Sequence, residues 1–268
     1  MPRRLDYPTY LEHLAADSAR FAHVLRQTPY QTPVATCPDW TTADLLFHLA
    51  EVQAFWARIV GRRLTSAEEA EELETVRPDA DDELPGLFAE WTQALQEALR
   101  ATPPDVPVWS WANEQTAGFS YRRQAHEALI HRLDAELAAG DRTPVDPALA
   151  ADGIDEVLGV MYGEPPAWGT FTPDHDHVVR FEATDTGDSW SVTIGRFVGR
   201  EPGEEGAPAA VACLDWVSDD IAPTAQVRGT AADLDCWLWR RPPAGEVVTT
   251  GDPATLDLLA EVMADGVS

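Results

Sequence analysis

Residues 7–27 carry apolar side chains at Leu11, Leu14, Ala15, Phe21, Val24 and Leu25, a three-and-four spacing that lays one stripe along a helix. A Pro-rich loop, TPYQTPVATCPDW, interrupts the pattern. Thr41, Thr42 and Asp44 then supply a hydroxyl for the orphan amides and a carboxylate for the first turn. They predict a capped helix running to about Arg62, with Leu45, Leu49, Val52, Phe55, Trp56 and Ile59 on its stripe. The acidic stretch 68–83 reads as a solvated connection. A third helix fits 82–101, through Leu84, Leu87, Phe88, Trp91, Leu95 and Leu99. A fourth fits about 119–139 and stops at Gly140. Four amphipathic helices of this length are the content of a helix bundle.

Beyond DRTPVDPAL the period changes from helix to strand. HVVRFEAT (177–184) and SWSVTIGRFV (189–198) alternate apolar and polar residues on either side of DTGDS, which predicts a β-hairpin. PTAQVRG and GEVVTTGD offer two further short strands. TAADLDCWLWRR and DPATLDLLAEVMADG have helical spacing, with Thr230 and Asp252 as caps. The expected organisation is therefore a four-helix bundle over residues 1–145 and a smaller α+β domain over 146–268.

Composition narrows the function more by exclusion than by suggestion. The net charge of −27 repels phosphate backbones and argues against a nucleic-acid partner. There is no apolar run of membrane-spanning length and no signal-peptide core after the first arginines, so no membrane association and a cytoplasmic location are expected. The three cysteines, Cys37, Cys213 and Cys236, lack zinc-finger or CxxC spacing and read as reduced thiols. All 19 basic residues are arginine. Without lysine, Schiff-base chemistry and a P-loop lysine are out of reach.

Candidate chemistry centres on RRQAHEALIHRLDAE, residues 122–136. Glu127 and His131, four apart, differ by about 40° around a helix and point the same way, and Asp134 shares their face. The Leu129, Leu133 and Leu137 stripe lies well round the cylinder, so periodicity alone favours a solvated Glu–His pair worth a few tenths of a kcal/mol. A metal site instead requires this helix to bury a second face, as metal-binding bundles do. His48 sits at the edge of the second helix's buried stripe, where a lone histidine is more often a satisfied core residue than a ligand. His126, about 100° from Glu127, is expected to be exposed or behind the ligands.

CPDWTTADLLFHLAEVQAFW (37–56) followed by RRQAHEALIHRLDAE resembles the mycothiol-dependent maleylpyruvate isomerase family, whose N-terminal domain is a DinB-like metal-binding four-helix bundle. VRGTAADLDCWLWRRPPAGEVVTTGDPATLDLLAEV (227–262) is similar to that family's C-terminal domain, an α+β module akin to sterol carrier proteins. The resemblance implies His48, Glu127 and His131 as metal ligands. Two imidazoles and a carboxylate suit Zn²⁺ or another divalent metal and leave coordination open. It further implies mycothiol as the thiol cofactor and a C-terminal arginine near the substrate, for which Arg240 and Arg241 are the candidates. Asp134 and Arg123 are candidates to orient a ligand or the substrate.

The expected activity is cis–trans isomerisation of a maleylpyruvate-like acid, or thiol transfer to a small electrophile. Its partners would be a small-molecule substrate and a low-molecular-weight thiol, in a monomer or homodimer. Two alternatives stand beside it: a non-catalytic metal or small-molecule binding protein, and a thiol-independent metal enzyme of a biosynthetic pathway. Trp-rich segments such as VWSWANE (108–114) could line a pocket under the first alternative, although aromatic packing is their commoner use.

Overall fold

A computed structural model describes residues 4–72, 74–163, 165, 168–200 and 207–264. The chain divides into two compact units, Leu5–Pro144 and Val145–Ser268, the latter together with Met1–Arg4.

The first unit is helical. Its long elements are α1 (Tyr7–Leu25), α2 (Thr42–Arg62), α4 (Leu84–Ala101) and α5 (Ala117–Ala139), with a short α3 (Ala67–Glu71) between α2 and α4. Two of the long helices start on a side-chain cap. Asp6 accepts from the Thr9 amide, and Thr41 and Asp44 form a reciprocal capping box on α2. Gly140, at φ 68°, takes the left-handed conformation that stops α5. Helix α1 packs on α5 and α2 on α4, while contacts of α2 with α5 and of α1 with α4 close the ring. The apolar stripes meet inside it: Phe21, Leu45, Leu49, Leu84 and Phe88 are buried together, each contributing roughly 1.5–3 kcal/mol by leaving water.

Two expectations for this unit need correction. The acidic stretch 68–83 is not simply a solvated connection: Ser66 caps α3, and Asp81–Glu83 forms a 3₁₀ turn. Arg77 anchors it by pairing with Asp44 at 2.5 Å and Asp81 at 3.2 Å. Helix α5, moreover, has no solvated face along most of its length. From Ala117 to Glu136 every residue but Glu127 is buried, and Glu127 is half-buried. Neighbours on more than one side cover it, so a single apolar stripe understates its contacts.

The second unit holds a mixed five-stranded sheet in the order β3-β2-β1-β4-β5. Its strands are β1 (Gly169–Ala183), β2 (Ser189–Gly199), β3 (Ala209–Trp216), β4 (Ala225–Gly229) and β5 (Val248–Gly251). Among the described residues only β1 and β4 pair in parallel; the hairpin β1–β2 turns through Gly187 at φ 78°. Val179, Phe181, Val192, Ile194 and Val227 are buried, and helices α6 (Pro147–Glu156), α7 (Ala231–Leu238) and α8 (Pro253–Ala264) complete the unit. Strand β3 and helix α6 go beyond the elements the sequence pattern predicts. AAVACLDW lacks alternation, and α6 opens on an Asp146–Pro147 pair inside what reads as a linker. Helix α6 runs on into a π-helical turn, Val157–Met161. The predicted helix through LWRR ends at Leu238, and Arg240 lies at φ 58°. The final residues of the last predicted helix, 265–266, lie outside the described residues. No helix among the described residues is long and apolar enough to cross a membrane.

Candidate metal centre

Helices α2 and α5 bring His48, Glu127 and His131 together, with one potential ligand atom from each lying within 4.8 Å of the others. Glu127 Oε1 stands 3.1 Å from His131 Nε2 and 3.5 Å from His48 Nε2. Around a tetrahedral cation bound at about 2.1 Å, neighbouring donors stand about 3.4 Å apart, so these separations fit one ion among three side chains. His48 Nε2 is buried and has no hydrogen-bond partner among the described residues. An orphaned imidazole nitrogen facing a carboxylate is the signature of a ligand atom, and the donor set suits a divalent cation. The two rings lie 4.8 Å apart, nearly edge to face.

The surroundings hold these atoms in place. Asp134, fully buried, lies 3.0 Å from His131 Nδ1 through Oδ2, and its Oδ1 accepts from Thr36 Oγ1 at 2.6 Å. With Nδ1–H donating to Asp134, Nε2 is the nitrogen turned to Glu127. Arg123 Nη2 donates to Glu127 Oε2 at 3.0 Å, leaving Oε1 to the imidazoles. Burial works against the charge on Glu127, but the two histidines and Arg123 outweigh it and hold the carboxyl well below its ordinary range. For His131 burial again opposes charge, and bonds to Asp134 and Glu127 push the imidazole up to about 9. Two carboxylates, Glu127 and Asp134, thus lie against Arg123 and the His131 imidazole, beside the approach of His48.

Of the sequence candidates, His48, Glu127, His131, Asp134 and Arg123 converge in the helical unit. The surface-pair reading of Glu127 and His131 does not survive, since His131 is 3% exposed. His126 is not exposed either; it is buried near the Tyr10 ring, on the side of α5 that meets α1. Thr36 and Trp40 were not among the candidates. The Trp40 ring lies 4.6 Å from that of His48 and 6.2 Å from that of His131, so the CPDWT loop covers both imidazoles. Helical periodicity has no means of signalling a loop residue's role.

Arg240 and Arg241 belong to the second unit, where both border a cavity of about 670 Å³ with Trp237, Leu256 and Met263. Arg241 is buried, and its Nη1 donates to the Trp239 carbonyl at 2.8 Å. Arg240 is exposed, with one long 3.4 Å bond to the Ala264 carbonyl. All three cysteines are free thiols: Cys37 is half-buried, and Cys213 and Cys236 are buried.

Comparison with known proteins agrees with this architecture. Residues 11–136 match the family model described as the mycothiol maleylpyruvate isomerase N-terminal domain, and residues 148–258 match the MDMPI C-terminal domain. No curated protein sequence matches the chain. Among solved structures, a mycothiol-dependent maleylpyruvate isomerase superposes with a TM-score of 0.57 at 15% identity, over 92% of this chain and 95% of that one. A histidine-to-alanine mutant of a mycothiol-dependent maleylpyruvate isomerase gives the same TM-score and coverage at 14% identity. At such identity the likeness is one of fold. The two domain models, met in order along one chain, show that it belongs to the mycothiol-dependent maleylpyruvate isomerase family.

Proposed function

We propose that this protein is a divalent-metal- and thiol-dependent enzyme that isomerises the double bond of a small maleylpyruvate-like acid. The observation that carries the reading is the convergence of His48, Glu127 and His131 in a chain matching both family domains. Zn²⁺ is the cation that best suits two imidazoles and a carboxylate, and mycothiol is the thiol the family name supplies. Once held there, the cation and thiol would provide a thiolate that adds reversibly to an activated double bond, returning a cis acid as its trans isomer.

The chain's own residues do the rest. With a cation bound, His48 and His131 would each offer an unprotonated nitrogen and Glu127 the anionic oxygen. Asp134, braced by Thr36, fixes the orientation of the His131 ring and raises its basicity. Arg123 clamps the second oxygen of Glu127, so its role is to position the ligand rather than touch substrate. Trp40 restricts water beside both imidazoles. Of the two candidate arginines, Arg240 has the exposed, weakly engaged guanidinium suited to a carboxylate, while that of Arg241 is committed to a backbone carbonyl.

Metal analysis and turnover test the reading together. Wild type is expected to carry one equivalent of divalent metal and His131→Ala none. Zinc-loaded protein with mycothiol should convert maleylpyruvate to fumarylpyruvate. If a panel of electrophiles gives neither isomer nor thiol adduct, the proposal fails.

A further inference from the structure

The face of α2 that carries His48 continues along the helix as the wall of a cavity. At 100° and 1.5 Å per residue, His48, Glu51, Val52 and Phe55 fall within about 100° of one another. Phe55 stands about 10.5 Å along the axis from His48. Glu51, Val52 and Phe55, with Phe47 and Trp56, line a cavity of about 730 Å³, and residues 74–77 supply the rest of its lining. This cavity adjoins the candidate ligands: Glu51 Oε1 lies 3.7 Å from His48 Nδ1, and 23% of the His48 side chain is exposed.

The segment 74–77 is tied down at both ends. Arg58 Nη1 donates to the Glu74 carbonyl at 3.3 Å and to Thr75 Oγ1 at 2.8 Å, and Arg77 pairs with Asp44 and Asp81. Between those ties Val76 is 78% exposed, and Phe47 and Phe55 are only half-buried. Apolar and aromatic side chains left open around a concave space are the lining of a ligand pocket. The charges in that lining select the ligand. Glu51 and Glu74 repel a carboxylate, and the guanidinium of Arg77 already serves two aspartates. An aromatic ring meets neither obstacle and packs against Phe47 and Phe55.

We infer that this cavity receives an aryl end of the substrate, so that the preferred acid is a cis-4-oxo-2-enoic acid with one carboxylate and an aromatic ring. A diacid of the maleylpyruvate type brings its second carboxylate against Glu51 and Glu74 and leaves Phe47, Val52, Phe55 and Val76 in water. A phenyl ketone buries its ring against those four side chains and carries no second charge. The wall between His48 and Phe55, about 10 Å long, has room for a ring joined through a carbonyl to the reacting double bond. Phe47, Phe55 and Val76 are therefore specificity-determining: they act on which substituent the site accepts, not on the metal or the thiol.

This inference rests on the isomerase reading above, and a pair of substrates separates the two. Zinc-loaded full-length wild type, Phe55→Ala and Val76→Arg are assayed with mycothiol on cis-3-benzoylacrylate and on maleylpyruvate. Wild type is expected to favour benzoylacrylate about tenfold in kcat/KM. Phe55→Ala should erase most of that preference by removing the wall, and Val76→Arg should turn it toward the diacid by supplying a cation. Val76 is exposed, so its variant carries the test even where Phe55→Ala fails to fold. Apart from turnover, acetophenone should show saturation transfer from metal-free protein, with affinity about tenfold weaker in Phe55→Ala. A wild type that isomerises maleylpyruvate in preference to benzoylacrylate overturns the inference and leaves the isomerase standing. A preference for benzoylacrylate that neither variant moves also overturns it, since the ring then sits elsewhere. If neither acid is isomerised, the isomerase reading falls and this inference falls with it.

Discussion

The helical unit buries two glutamines, and they are used in opposite ways. Gln53, on the α2 face toward α1 and α4, is closed on both sides: its Nε2 donates to Ser18 Oγ at 3.0 Å, and its Oε1 accepts from Thr92 Oγ1 at 2.5 Å. Gln124, on the α2–α5 seam, is as deeply buried and closed on neither. The first seam spends its polar groups on fixing three helices together. The second leaves an amide without a hydrogen-bond partner on the helix face that carries Glu127 and His131, which costs stability. Burial alone therefore does not separate structural from functional polar residues.

The comparison breaks most visibly at the ligands. Glu127→Ala or His48→Ala is expected to abolish bound metal and reduce turnover to background, read by elemental analysis and a product assay; retained metal in either variant would remove that residue from the site. Next in size is Asp134→Asn, which keeps the shape but weakens the hold on His131 Nδ1 and on Thr36. Metal affinity should fall by about 10- to 100-fold, measured by competition with a chelator. An unaltered affinity would make Asp134 merely a fold residue.

The closed seam sharpens the contrast through stability. Gln53→Ala strands Ser18 and Thr92 and leaves a void, so it should cost about 2–3 kcal/mol in denaturant unfolding with little effect on thiol affinity. Gln124→Leu, which breaks no such bond, should cost less stability than Gln53→Ala. Similar destabilisation by both would erase the distinction between the seams.

How much of this was legible in the sequence follows the same division. The apolar stripes of α1, α2 and α4 were readable because each helix turns one face to the core. The hairpin was readable because β1 and β2 alternate around DTGDS. The extent of α5, down to its stop at Gly140, was readable too, but its burial was not, because neighbours cover several of its faces and its charged residues hid a buried surface behind a polar pattern. His48, Glu127 and His131 were found through family resemblance, not through spacing, which favoured solvent. Thr36 and Trp40 lie in a loop and carry no period at all; their roles depend on which atoms lie opposite after folding. Strand β3 was hidden because its residues do not alternate; its place is set by pairing with its neighbour β2.

The smallest expected effect concerns the helix both seams share. Asp44 closes the capping box of α2 and pairs with Arg77, and although partial burial raises its carboxyl, the bonds to Thr41 and Arg77 win and hold it at about 2. The unfolded chain binds its proton at about 3.9, so the folded state has the lower value. The resulting stability is fully present above pH 4 and is lost as pH falls from about 4 toward 2. With 34% of the side chain in solvent, screening reduces the contribution to about 1 kcal/mol. Acid titration of unfolding should show this increment in wild type and lose it in Asp44→Asn. Because Asp44 anchors the end of α2 nearest His48, one turn away, the same variant should loosen metal binding slightly while leaving the Gln53 cluster, further along the helix, intact. Were Gln53→Ala and Asp44→Asn strongly non-additive in stability, α2 would be transmitting strain between its two faces, and the seams could no longer be treated as independent.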